Sequence, residues 1–459
     1  MNILDKNLKK RVLKEITPNK DEIKELDLLV DVFKTKLLNS ARELNYSINI
    51  ELGGSYAKNT FLRGDFDIDF FIQFHSNIDD IQKEEILIEI LTYSEIDFDI
   101  KHGSRVYVSG FFTNSSNTDS GEIKNNFSVS GFNFECVPTE ICSDINIAKN
   151  STDISIFHVK YLKDKVDKDS ILVDEIRLAK RWFKIKKLYG AESYINGFSG
   201  HSIECLIMKF KTFENLILFM SSMDKNQILV IDDNNLVKNS FSKDKYSPLM
   251  MHDPIHEGRN TLSALNEELF YKAKYYAIQH TLLGFEEKDF LDNNSKKYTL
   301  QELDNLFFNE SLPNLGIRYT FKKTQLSKDI LGSKLLKLTK KISKLLTKYG
   351  FLVQDIHFEI HEAEYCAFAK IIIENSKLPK KYLSKSISLD VLKSHLIKFL
   401  QVHRNSKLRV IQNFIYVEKK REFSSLKEFS EMYLSDMNNL RKEIDITEFD
   451  FLDKILFNS

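Results

Sequence analysis

The spacing of apolar residues changes along the chain, and each change predicts a different element. Leu26, Leu29, Val30, Phe33, Leu37 and Leu38 recur every three or four positions, which predicts a helix running to about Leu44. Thr17-Pro18 stands before it, a capping hydroxyl followed by a proline suited to a first helical turn. Ser47 to Leu52 predicts a strand ending at Gly53-Gly54-Ser55, then a short helix from Tyr56 to Leu62 stopped at Gly64. From Phe66 to Phe74 the pattern alternates, with Asp67, Asp69 and Phe71 on one face and Phe66, Ile68, Phe70 and Ile72 on the other.

Two more strands are predicted at Arg105 to Phe112 and Phe127 to Val137, flanking a loop tip at 113–121 that has no apolar residue. Asp174 to Leu188 and Ser202 to Phe219 predict helices, the second largely buried. Ser333 to Tyr349 is amphipathic: Lys334, Lys337, Lys341, Lys344 and Lys348 share one face, Leu335, Leu338, Ile342 and Leu345 another. Ser333 can cap this helix and Gly350 can end it.

Composition narrows the class. Hydrophobic residues make up 42% and charged residues 29% of 459, ordinary for a folded protein and too apolar for a disordered one. The length suggests roughly three domains, with one boundary near 285. Lys plus Arg number 66 and so do Asp plus Glu, yet from Phe321 onward 26 basic residues face 17 acidic ones. An acidic front and a basic back suit an enzyme that holds metal at one end and a polyanion at the other. Cys136, Cys142, Cys205 and Cys366 are too few and scattered for a disulfide scaffold or a zinc site and read as buried thiols in a reducing compartment. No apolar run approaches the ~20 residues of a membrane span, and the N-terminus lacks a signal peptide's apolar stretch, so the expected location is cytoplasmic, away from membranes.

Residues 53–69 carry the chemistry. After a strand, Gly53, Gly54 and Ser55 let backbone and a hydroxyl approach a phosphate, and Lys58 can add a point charge. Asp67 and Asp69 then point the same way from one strand, a spacing that lets two carboxylates share a divalent cation. Hard oxygen ligands beside phosphates favour magnesium. Glu135, on the predicted strand 133–137, is the candidate third carboxylate. Singly, alternating acids describe a solvated strand face and a Gly-Ser turn is weak. In the order strand, Gly-Ser, helix, Asp-x-Asp they favour a nucleotidyltransferase.

The segment GGSYAKNTFLRGDFDID resembles the head signature of the archaeal-type (class I) CCA-adding enzymes, the tRNA nucleotidyltransferases. Asp153 to Leu162, Asp174 to Glu192, Gly197 to Gly200 and Asp253 to Asn260 follow in that family's order, and the basic segment through Tyr365-Cys366 to Arg421-Glu422-Phe423 looks like its body and tail. The resemblance implies an α+β fold: a polymerase beta-like nucleotidyltransferase head with a mixed sheet (1–145), a nucleotide-binding helical neck (146–285), and an α+β body and tail that bind tRNA (286–459). By the same resemblance Asp67, Asp69 and Glu135 hold two magnesium ions. Gly54, Ser55 and Lys58 hold the triphosphate, and His158, Lys180, Tyr189 and Arg259 line the ATP/CTP pocket. The family carries Glu at the position of Asp67 and Asp at that of Glu135; both exchanges keep the charge and move one methylene.

The activity so implied is template-independent addition of C, C and A to the tRNA 3′ end from CTP and ATP. The terminal ribose hydroxyl, its pKa lowered by magnesium, attacks the α-phosphate and pyrophosphate leaves. The lysine face at 334–348, with Lys322, Lys323 and Lys328, would bind the tRNA acceptor end through phosphates. A homodimer is compatible with the sequence. The competing readings are another nucleotidyltransferase, such as a poly(A) or uridylyl transferase or a cyclic-oligonucleotide synthase, and, in a different class, a non-catalytic RNA-binding homologue.

Overall fold

The computed structural model describes residues 3–75, 78–102, 106–113, 130–142, 144–145, 151–169, 171–231, 241, 246–291, 313–321, 326–361, 365–431 and 454–458. The chain divides into two compact units, one of residues 1–295 with 325–329, the other of 296–324 with 330–459.

The first unit opens with α1 (Lys6–Ile16) and α2 (Lys20–Glu43). Thr17 and Pro18 do not start the long helix. Thr17 is the C-cap of α1, and Asn19 caps α2 by accepting from Asp21 and Glu22 while the Glu22 side chain reaches back to the Asn19 N–H. The reciprocal cap satisfies three backbone donors, which is why the helix begins there. A five-stranded mixed sheet follows: β1 (Asn49–Leu52), β2 (Ile68–Phe74), β3 (Asp99–His102), β4 (Val106–Phe112) and β5 (Phe132–Glu140), in spatial order β1-β2-β5-β4-β3. Only β2 and β5 run parallel; the other neighbours are antiparallel.

Between β1 and β2 lies α3 (Gly54–Ala57), one turn long, and after β2 comes α4 (Asp80–Tyr93). The helix expected from Tyr56 to Leu62 is therefore reduced to a turn, because the backbone reverses at Asn59 (φ 52°). Phe33 of α2 anchors one core, its ring centroid 4.6 Å from Phe70, 4.8 Å from Phe134 and 4.9 Å from Phe112. Truncating a fully buried phenylalanine of this kind costs about 3–5 kcal/mol. The tip predicted at 113–121 lies outside the described residues from 114 onward, as do 105 and 127–129 of the predicted strands.

A second core is helical: α5 (Ser151–Val166), α6 (Ile171–Ile185), α7 (Gly200–Phe210), α8 (Phe213–Ser222) and α9 (Glu267–Leu283), with the parallel pair β6 (Gln227–Leu229) and β7 (Leu249–Met251). Trp182 and Phe183 are buried at its centre, and Leu8, Val12 and Ile16 of α1 join it. The single helix expected from Ser202 to Phe219 is two helices. Lys211 takes a left-handed conformation (φ 68°) and Thr212 caps the next helix through Asn215. Apolar residues resume on both sides of Lys211-Thr212, so spacing alone reads through the break.

In the second unit β8 (Asn314–Thr320), β9 (Val353–His361), β10 (Cys366–Ile373) and β14 (Lys454–Asn458) form an antiparallel sheet in the order β14-β8-β10-β9. Helix α10 (Lys328–Lys348) buries Leu331, Leu335, Leu338, Ile342 and Leu346, and Thr339 meets the Tyr319 hydroxyl at 2.9 Å. This helix starts five residues before Ser333, which lies inside it rather than capping it. A separate sheet of β11 (Lys381–Ser388), β12 (Lys407–Ile411) and β13 (Phe414–Lys420) is ordered β11-β13-β12, with α11 (Lys393–Val402) and α12 (Leu426–Phe429) completing the unit.

Candidate active site

Asp69 on β2 is the register partner of Glu135 on β5. In neighbouring strands such partners leave the sheet on the same face with backbones about 4.8 Å apart. Asp67 lies immediately before β2. Burial raises its pKa, a hydrogen bond with Asn133 and the charge of Lys184 oppose the rise, and Asp65 adds to it. Asp69 is pushed up to about 6, first by burial; Lys58 pulls it down and Asp67 pushes it further up.

Gly54 fixes where Asp69 sits. Its φ is +59°, and a Cβ there would fall 1.6 Å from Asp69 Oδ2, so no side chain fits. The Gly53 N–H donates to the Asp69 carbonyl at 2.8 Å, tying this turn to β2. Ser55 is half-buried on the one-turn helix after it. An all-oxygen donor set, in which burial pushes Asp67 and Asp69 upward, fits a hard divalent cation. Nucleotidyltransferase folds typically use divalent metals, and these acids are the candidates to hold one here.

Lys58 and Lys180 meet at one buried acid that the sequence reading passed over. Glu204 Oε2 accepts from Lys58 Nζ at 2.7 Å, and Oε1 accepts from Lys180 Nζ at 2.7 Å and from Thr60 Oγ1 at 2.9 Å. Lys180 also donates to Thr60 Oγ1 at 2.8 Å. Burial drives Lys180 down to about 8 although Glu204 opposes this. Burial alone would raise Glu204, yet Lys180 and then Lys58 hold it well below the usual carboxylate range. The signal was present: Glu204 is the lone acid of an apolar helix, and a charge in such a place requires partners. Arg177, also unforeseen, donates to the carbonyls of Phe61 (3.1 Å) and Asn59 (2.9 Å) and pins the segment carrying Thr60.

His158 on α5 is buried against Asp253, Nε2 to Oδ2 being 2.8 Å. Burial lowers His158 to about 4, with the nearby charges of His201 and Arg259 helping, so the ring is neutral at pH 7 and donates Nε2–H. Asp253 would be raised by burial, but hydrogen bonds from His158 and His201 hold it well below its usual range. Its Oδ1 also accepts from the Ile255 and His256 N–H groups at 3.1 Å. His158, His201 and Asp253 bring ligand-type atoms within 4.8 Å of one another. The Arg259 guanidinium, 3.2 Å from His158 Nε2 and 3.3 Å from Asp253 Oδ2, brings positive charge where an ion would bind, which makes this an ion-paired turn rather than a metal centre.

Tyr189 bridges to Phe198, and its hydroxyl lies where a Cβ on Gly200 would be, 2.7 Å away. Burial raises its pKa, so it remains a neutral phenol. In the second unit, Lys337, Lys344 and Lys348 of α10 are exposed and Lys334 and Lys341 half-buried. Lys322 and Lys323 lie outside the described residues. Among the described residues no helix is long and apolar enough to cross a membrane.

Comparison with known proteins agrees with a nucleotidyltransferase fold. The nucleotidyltransferase domain family matches residues 34–108, and "tRNA nucleotidyltransferase, second domain" matches 174–290. The chain is a nucleotidyltransferase. A CCA-adding enzyme of Methanocaldococcus jannaschii is 27% identical over 358 residues, 75% of this chain and 73% of the relative. That of Methanococcus maripaludis is 28% identical over 76% of this chain and 75% of the relative, and that of Thermoplasma volcanium 26% over 83% and 76%. Together these findings support the archaeal-type CCA-adding enzymes, which transfer nucleotides to tRNA, as this chain's family. Among solved structures, a cytoplasmic RNA terminal U-transferase is 13% identical with a TM-score of 0.45, covering 66% of this chain and 98% of that one.

Proposed function

We propose that this chain adds C, C and A to the 3′ end of tRNA from CTP and ATP, without a template and with release of pyrophosphate. The carrying observation is the register of Asp69 against Glu135 with Asp67 beside them, next to the Gly54 turn and Lys58. In this reading Asp67, Asp69 and Glu135 hold magnesium, which when bound activates the attacking ribose hydroxyl and offsets phosphate charge.

The protein's own groups then divide the remaining work. Ser55 and Lys58 take the triphosphate. Lys180 supports it from behind, and Tyr189 and neutral His158 offer donors to sugar or phosphate oxygens. Arg259, held by Asp253, faces the base or the RNA end. The exposed lysines of α10 take tRNA phosphates, a sequence-independent contact. The four cysteines are free thiols, which suits work in the cytoplasm.

The test offers a tRNA transcript lacking its 3′ CCA, with magnesium and each labelled nucleotide alone. Two C additions with CTP, then one A once ATP joins it, are expected. Long A or U tails would replace this reading with another terminal transferase. Tight tRNA binding without incorporation would make the chain a binding protein.

A further inference from the structure

We infer that Glu204 is a positioning residue of the nucleotide site, one buried carboxylate that holds Lys58 and Lys180 in place and hands Lys58 over to the incoming triphosphate. The inference rests on the proposed reading of Lys58 and deepens it.

The geometry is a closed ring. Thr60 Oγ1 donates to Glu204 and accepts from Lys180, while the second carboxylate oxygen takes Lys58. Glu204 and Thr60 are fully buried and Lys180 nearly so, whereas the Lys58 side chain keeps 10% of its surface exposed. One negative charge therefore answers two positive ones in a place where unpaired charge is costly. Lys184 faces Lys180 but is itself paired with Asp65 Oδ1 at 2.7 Å, and Asp69 faces Lys58 from the acid site. Within the ring itself two ammonium groups share one carboxylate, so a phosphate that takes Lys58 leaves Glu204 to Lys180. Lys58 is the member that moves, since Lys180 has Thr60 as a further partner and Lys58 lies nearer solvent. Once Lys58 has turned, Glu204 and Lys180 remain as a balanced pair. A carboxylate that only packed α7 against residues 58–60 would need neither lysine.

The experiment measures CTP binding at equilibrium, and KM and kcat in single-nucleotide addition, for native protein and for Glu204→Gln, Glu204→Asp and Lys58→Ala. Glu204→Gln keeps the shape and removes the charge, leaving two buried ammonium groups facing an amide. Its CTP affinity should fall about tenfold or more, with KM rising by a similar factor and kcat changing less. Glu204→Asp, which keeps the charge, should recover most of that loss. Lys58→Ala should weaken CTP at least as much as Glu204→Gln.

Unchanged or tighter CTP binding in Glu204→Gln, while Lys58→Ala weakens it, overturns the role of Glu204 alone. Equal losses in Glu204→Gln and Glu204→Asp do the same, because the effect would then be one of packing. Unchanged binding in Lys58→Ala overturns the reading of the nucleotide site and this inference with it.

Discussion

Asp69 and Glu135 stand opposite each other on the parallel strands β2 and β5, 66 positions apart in sequence and paired in register. That pairing exists because β5 inserts between β2 and β4, placing the acid of a late strand beside the acid of an early one. Replacing either by its amide, Asp69→Asn or Glu135→Gln, keeps the shape and removes a charge proposed to hold metal. Nucleotide incorporation should fall by at least about 100-fold, while tRNA affinity stays within a few-fold. Filter binding and primer extension on the same preparations check both halves. A variant that extends RNA at the native rate removes its residue from the metal set.

Gly54 offers a test of the turn that shapes the acid site. Its positive φ costs an alanine about 1–2 kcal/mol, and the added Cβ would collide with Asp69 Oδ2. Gly54→Ala should therefore lose incorporation by at least about 100-fold while Tm drops only modestly. Loss of stability without loss of activity would show that Asp69 can move without consequence.

The His158–Asp253 pair gives the fold a pH dependence. Burial first lowers His158 from 6.5 to about 4, so the unfolded chain binds more protons there between those values. Its contribution is complete above pH 6.5 and is lost as pH falls toward 4, by roughly 2 kcal/mol between pH 6.5 and 5. Asp253, held below its usual range, works in the same direction at more acidic pH. The native protein should therefore lose more unfolding free energy between pH 7 and 5 than His158→Gln does. Equal losses in urea titrations would mean that His158 titrates alike in both states.

Lys337, Lys344 and Lys348 project from α10 as an exposed basic row. If each meets a phosphate, replacing all three with alanine lowers the slope of log affinity for tRNA against log salt by about 2–3. Binding curves from 50 to 200 mM salt measure this, and an unchanged slope would place tRNA elsewhere.

Local pattern carried much of this structure. The apolar stripe of α2 was legible because one face packs on the sheet core, and β2 was legible although Phe71 and Gln73 on its second face are buried as well. The break at Lys211 was passed over although Lys211-Thr212 is polar and Thr212 is a capping residue, because the apolar spacing resumes at once on its far side. Helix α1 was missed because Leu8, Val12 and Ile16 form a stripe one residue wide among charges. In the site, Asp67 and Asp69 announced themselves through spacing. Glu204, His201 and Asp253 gain their meaning from partners far away in sequence, and only folding brings those together. Thr60 is the clearest instance: a neutral residue in a turn, it becomes the link between Glu204 and Lys180.

The most direct measurement reads the 3′ ends of a tRNA pool lacking CCA after incubation with the enzyme, magnesium and all four nucleotides together. The account predicts that extended molecules end in CCA and grow no further. Homopolymer tails, or ends of mixed sequence, would contradict it.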